Sequence, residues 1–187
     1  MTASPQRRDA ARNQQQIVDT ARRFVDDGRP LRLNDVARAA TIGVATVYRH
    51  FPVPEALLET LARPALERLA ADADRALTAG DPWQALAEFL TAGINAQLAD
   101  AAVQPVVAAS SHALPETTTL VTRLHTATGL LLDRARADGL IRPGLTREDL
   151  VRLMCGVVFA ASVHATPAER ADLTHTYLEI VLTGLHA

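Results

Sequence analysis

A chain of 187 residues, 48% of them hydrophobic and 21% charged, is long enough for one large domain or for a small module joined to a larger one, and it can bury a substantial core. Charged residues interrupt every apolar run short of a membrane span, the first sixteen residues hold no apolar signal core, and Cys155 is the only cysteine. The expectation is therefore a cytoplasmic chain with no membrane anchor and no internal disulfide. The net charge of −2 is unevenly spread: residues 1–51 hold nine Arg against five Asp, while residues 52–187 hold ten Arg against sixteen Asp or Glu, so a basic end suited to a polyanion precedes an acidic remainder.

No segment shows the period-two alternation of a half-buried strand. Helix punctuation recurs throughout, which predicts an all-α chain of about nine helices. Residues 9–27 place Ile17, Val18, Ala21, Phe24 and Val25 on one helical face, and Gly28 and Pro30 stop that helix. Leu33, Val36, Ala37 and Ala40 mark a short second helix, Thr41 to Gly43 a turn, and Val44 to about His50 a third. Pro54 fits the first turn of a fourth helix that runs to about Ala79 with Gly80 as its cap; Pro64 is expected to kink or split it. Asp81, Pro82 and Gln84 suit the N-cap, N1 and N3 positions of a fifth helix. Pro105 and Pro115 bracket a short sixth, and a long seventh runs from about Glu116 to Asp138, closed by Gly139. Thr146 with Asp149, and Thr166 with Glu169, read as capping boxes for the eighth and ninth.

The eighth helix is apolar on nearly every face, through Leu150, Val151, Leu153, Met154, Val157, Val158, Phe159 and Val163, which predicts burial all round. The ninth carries Leu173, Tyr177, Ile180 and Val181 on one side and Leu178, Leu182 and Leu185 on another. A chain of this size has a single interior, so two apolar faces on its last helices suggest a second copy of the chain. A homodimer would place Met154, Val158, Tyr177, Leu178, Ile180 and Leu182 at its interface. The competing reading is that other helices of the same chain cover both faces.

The segment "ATIGVATVYRHF", residues 40–51, turns from apolar to basic within a few residues. Helix, short turn, helix is the helix-turn-helix signature. Val36, Ala37, Val47 and Phe51 would face Ile17, Ala21 and Phe24 of the first helix. That leaves Val44, Ala45, Thr46, Tyr48, Arg49 and His50 at outward or rim positions. Arg gives guanine a bidentate pair of donors, and small apolar side chains rest on a thymine methyl. Thr, Tyr and His donate to phosphate oxygens, and the basic end adds a sequence-independent attraction. Helix-turn-helix shapes also occur in proteins that bind no DNA, and Tyr48 can equally be a core aromatic with an exposed hydroxyl.

Residues 9–58 resemble the N-terminal domain of the TetR family of bacterial transcriptional regulators. The resemblance rests on "IVDTARRFVDDG", "LNDVARAA", "GVATVYRHF" and "EALLETL", in that order and spacing, with "TVYRHFP" the most specific string. The phrases "DGLIRPGLTREDLVRLMCGVV" and "YLEIVLTGL" look like a C-terminal variety found in the same family. The resemblance implies a DNA-binding domain over residues 1–53, a helical ligand-binding and dimerisation domain over 54–187, and a homodimer that represses from a double-stranded DNA operator until a small-molecule effector binds. Three positions depart from the family's pattern. Thr41 stands in the turn where glycine is usual; a β-branched residue at positive φ is strained, so either the turn differs locally or it costs about 1 kcal/mol or more. Arg32 stands where a capping Thr is usual. Pro54 stands near where a phosphate-contacting Lys is usual, which leaves the backbone amides at the start of the fourth helix as the alternative contact.

The resemblance also implies a ligand pocket among helices four to eight. Trp83, Phe89, His112, His125, Met154, Phe159 and His164 are the large or polar residues there, each of which also suits an ordinary core. Enzyme readings find little support. No two His stand at i, i+3 or i+4, no G-x-S-x-G or phosphate-cradling loop occurs, and Cys155 lies on an apolar helix, so neither metal nor cofactor is expected. The alternative from a different class is a helical small-molecule-binding protein whose DNA-binding head is vestigial.

Overall fold

The protein, seen in a computed structural model, is described here over residues 5–187; residues 1–4 of the basic end lie outside the described residues. The described residues form nine helices and one isolated antiparallel bridge, between Ile141 and His186. The helices are α1 (Pro5–Asp26), α2 (Leu33–Ala39), α3 (Val44–His50), α4 (Pro54–Thr78), α5 (Pro82–Ala99), α6 (Val103–Ala108), α7 (Pro115–Ala137), α8 (Arg147–Ser162) and α9 (Pro167–Leu185). No helix among the described residues is long and apolar enough to cross a membrane.

The first three helices pack around Ile17, Ala21, Phe24, Leu33, Val36, Val47 and Phe51, all buried. Two of the turns that set this geometry are built alike. At the end of α1 the Arg29 amide donates to the Phe24 carbonyl and the Gly28 amide to Val25, with Gly28 at φ +66°. At the end of α2 the Ile42 amide donates to Ala37 and the Thr41 amide to Arg38, with Thr41 at φ +54°. Both are Schellman closures, which need a left-handed residue that glycine supplies freely and threonine does not. Arg32 precedes α2 without a side-chain capping bond.

Helix α4 is the hub, packing against α1, α5, α6 and α7. Leu57 and Leu66 on it are fully buried, each contributing roughly 1.5–3 kcal/mol of apolar transfer. Pro64 does not split α4, which runs unbroken through it, with Pro64 exposed on the solvent side of the helix. Gly80 is not its cap: the helix closes at Ala79, and Arg134 of α7 donates to the carbonyls of Leu77 at 2.8 Å and Ala79 at 2.6 Å. A guanidinium at a helix C-terminus satisfies orphan carbonyls and complements the dipole. Pro105 lies inside α6 rather than beside it, at the third residue, where no helical donor is lost. Helix α1 begins four residues earlier than its apolar stripe suggests.

The capping boxes of α8 and α9 are both present, with Thr146 paired to Asp149 and Thr166 to Glu169. The Thr146 hydroxyl, then its amide, hold the Asp149 carboxyl below the usual range, and Thr166 does the same for Glu169. Asp81 caps α5 by accepting from the Gln84 amide at 2.9 Å, but the Gln84 side chain donates to Glu88 instead of closing a box. Helix α8 is not buried all round: Leu150, Met154, Val157 and Ala161 are buried, whereas Leu153 and Val163 are exposed and Phe159 is 68% exposed. The chain ends by folding back, with the Arg142 amide on the Leu185 carbonyl and the Ala187 amide on Leu140.

Candidate nucleic-acid interface and ligand cavity

Helix α3 has two unlike sides. Val47 is completely buried and fixes the helix against α1 and α2. Val44 and Tyr48 are 47% and 44% exposed, Ala45 and Arg49 are exposed, and Thr46 and His50 are half-buried at the rim. The Arg49 guanidinium donates to the Thr46 hydroxyl at 3.3 Å, one turn back, a long bond that a better acceptor can displace. The Gln16 side-chain Nε2 donates to the Ala40 carbonyl at 2.6 Å and ties α1 to the end of α2. Arg29 stacks over the Phe24 ring at 3.7 Å, which places a cation beside the same unit.

The second feature is a half-open cavity of about 80 Å³ lined by α4 to α8. Leu69, Phe89, Leu90, Val103 and Val107 form its apolar wall on one side, with Val121, Leu124, Leu150 and Met154 on the other. Its polar lining is Gln97, His125, Thr128 and Cys155. Burial, then the Arg147 charge, lowers the His125 pKa, partly offset by Glu148, so the ring is favoured neutral. Burial raises the Cys155 pKa, so the thiol stays protonated.

Of the sequence candidates for a ligand, Phe89, His125 and Met154 line this cavity. Four others stand elsewhere. Trp83, at the start of α5, packs edge-on against His186 with ring centroids 4.7 Å apart. His112 lies in the loop before α7, its Nε2 3.0 Å from the Val106 carbonyl. Phe159 points away from the core. His164 lies beyond the end of α8, exposed, at φ +56°. Gln97 and Thr128 are cavity residues that sequence reasoning passed over, because an uncharged side chain on a helix leaves little periodic trace.

Of the residues assigned to a subunit interface, Met154 and Leu178 are buried inside the protomer. Val158, Tyr177 and Leu182 are half-buried, and Ile180 is 63% exposed. Leu153, Gly156, Ala160, Tyr177 and Ile180 line a shallow apolar groove between α8 and α9.

One polar clamp ties the helix-turn-helix unit to the helices around the cavity, and a second ties α4 to the start of α7. Arg22 of α1 is bidentate on Asp100, at 2.6 and 3.1 Å, and also donates to the Leu61 carbonyl of α4 at 2.7 Å. Asp100 sits at the α5–α6 corner and also accepts from the Ala102 amide. Glu59 of α4, buried, accepts from the amides of Ala113 and Leu114 at 2.7 and 2.9 Å and so holds the start of α7.

The architecture is thus a helix-turn-helix unit followed by a long α4 and a helical body that holds a cavity. The C-terminal domain model of SbtR-like transcriptional regulators matches residues 81–187, more than half of the chain. The chain belongs to the TetR family of transcriptional regulators. It is similar along 92% of its length to 98% of the TetR transcriptional regulator SCO0520 from Streptomyces coelicolor, with 29% identity and a TM-score of 0.54. It shares the fold of the TetR family regulator PfmR from Thermus thermophilus, at 21% identity, full coverage of both chains and a TM-score of 0.60. It also shares the fold of the transcriptional regulator FadR from Bacillus subtilis, solved in complex with stearoyl-CoA, at 16% identity, coverage of 92% and 99%, and a TM-score of 0.64. No curated protein matches the chain.

Proposed function

We propose that this chain is a ligand-responsive repressor that binds a pseudo-palindromic operator as a homodimer, with residues 1–53 as the DNA-binding domain and 54–187 as the ligand-binding and dimerisation domain. The observation that carries the reading is the two-sidedness of α3, which is anchored by Val47 and leaves Val44, Ala45, Tyr48 and Arg49 exposed. In this reading Arg49 leaves Thr46 for a guanine edge, Val44 and Ala45 rest on thymine methyls, and Thr46, Tyr48 and His50 hold phosphates. One seven-residue helix reads too few base pairs to find a site in a genome, so two heads are needed. The exposed apolar residues of α8 and α9 support pairing there, around Ile180, Tyr177, Val158 and Leu182. Such a protein works where the chromosome is, in the bacterial cytoplasm.

The cavity is the effector site in this reading, with Phe89, His125 and Met154 in contact with the occupant. An effector releases DNA only if it binds the DNA-incompetent arrangement more tightly, since equal affinity for both shifts nothing. By linkage the operator lowers effector affinity by the same factor.

The test is selection of bound fragments from genomic DNA at low and moderate salt. The wild type is expected to enrich a two-fold symmetric site. Arg49→Ala is expected to cost about 1–3 kcal/mol there and to blur one position in each half-site. Tyr48→Phe is expected to weaken all sequences alike. A wild-type protein that retains no fragment at either salt would overturn the repressor reading and leave a small-molecule-binding protein with a vestigial head.

A further inference from the structure

We propose that Gln16 is a positioning residue for DNA recognition: it clamps the peptide between Ala40 and Thr41, holds Thr41 left-handed, and so sets the direction in which α3 leaves the turn. The proposal rests on the reading of α3 as the recognition helix and names what aims it.

The peptide that joins Ala40 to Thr41 is held at both of its polar ends. Its N–H, on Thr41, donates to the Arg38 carbonyl at 3.2 Å. Its carbonyl, on Ala40, accepts from the Gln16 Nε2 at 2.6 Å, across 24 residues of sequence. The partner is a carbonyl, which only accepts, so the end of the Gln16 amide that faces it is the donating one. A peptide is a rigid plane, and holding both ends fixes its rotation. That rotation sets ψ of Ala40, −7°, and φ of Thr41, +54°. Helix α3 begins at Val44, so turning this one plane re-aims the whole of it.

The clamp has strain to hold. Threonine in the left-handed region relaxes unless its surroundings over-determine it. The turn after α1 makes the contrast: Gly28 takes the same closure at φ +66°, and among the described residues it does so with backbone bonds alone. Glycine adopts that conformation freely and needs no further hold. The net worth of one hydrogen bond and the strain of one left-handed threonine are of the same order, so the bond from Gln16 is enough to decide which way the plane lies. Gln16 is itself exposed, while its neighbour Ile17 is fully buried and fills the core, so replacing Gln16 removes the clamp and leaves the packing of α1 in place.

A cycle with Thr41→Gly tests the clamp, because glycine removes the strain that the clamp opposes. In the full-length protein, Gln16→Met is expected to lower affinity for the operator selected from genomic DNA about tenfold, and to leave affinity for a scrambled duplex of the same length unchanged. In the Thr41→Gly background the same replacement is expected to cost less than about twofold. Gln16→Leu repeats both measurements with a second side chain, and circular dichroism checks that each variant folds. An equal loss in the two backgrounds, or no loss in either, would overturn the proposal. Two-dimensional amide spectra without DNA keep it separate from the repressor reading. Gln16→Met is expected to shift the resonances of residues 41–50, and Gln16→Met with Thr41→Gly to match Thr41→Gly alone. If the wild type selects no operator, the repressor reading falls and with it the role in recognition; unshifted resonances in Gln16→Met would overturn the clamp itself whatever the protein binds.

Discussion

At Thr41 the backbone holds φ +54°, a left-handed conformation that a β-branched residue adopts only under constraint. The same closure after α1 uses Gly28. Thr41 is exposed, so its side chain gains little from packing. Thr41→Gly should therefore raise the stability of the protein by about 0.5–1 kcal/mol, after the added flexibility of the unfolded chain is deducted. An upward shift of the urea midpoint at constant slope would register it; a downward shift would mean that the hydroxyl does something the turn geometry does not reveal. His125 supplies a second residue-scale expectation. Its pKa is lowered in the folded state, chiefly by burial, so the unfolded chain takes up its proton first as the pH falls. The stability it lends is present above about pH 6.5 and is lost as the pH drops through the folded value. His125→Asn should flatten that part of the stability profile between about pH 7 and 5, measured by denaturant titration. The strain at Thr41 was legible as one of two alternatives, through the resemblance that puts glycine in that turn. The fate of Phe159 was not: helical spacing reveals an apolar face but not which neighbour, if any, covers it.

Among the elements, α1 is linked to the ligand-binding half by a contact that is polar, bidentate and remote in sequence. Arg22 grips Asp100, which lies three residues beyond Gln97 on the way from α5 into α6. Anything that displaces the α5–α6 corner pulls on this pair and on the helix that supports α3. Asp100→Ala is expected to leave operator affinity within a few fold and to cut the coupling between effector and operator, which typically amounts to about 1–3 kcal/mol in such systems. Operator titrations with and without effector would measure it, and undiminished coupling would move the route to α4 alone. The capping residues Asp81, Thr146 and Thr166 could be placed from sequence because each acts within one turn of its own helix. Arg134 as the closure of α4 could not, since it reaches across 57 residues to Leu77. Gly80 looked sufficient because sequence reveals a helix stop and not the side chain that arrives to satisfy it.

For the whole molecule, the balance of exposed and buried apolar surface decides the partner. Leu178 looked like an interface residue by its spacing, yet it is buried against the protomer's own core; Ile180, two residues on, faces outward. An Arg at position 178 would test folding, whereas Ile180→Arg tests association. Ile180→Arg should give a protein that sediments as a monomer at micromolar concentration, keeps its helical signal by circular dichroism, and loses operator binding. A wild-type monomer under the same conditions would remove the basis for a paired operator. The all-α class and the helix-turn-helix were legible from periodicity and punctuation. The cavity was only partly so, because it forms where five helices meet.

Trp83 is the only tryptophan, and it lies outside the cavity against His186, the penultimate residue. Its indole is thus a fluorophore placed on the seam where the chain's end folds back. An occupant of the cavity does not touch it. A change in emission during a titration would therefore report motion of the seam, and a constant emission would not signify an empty site.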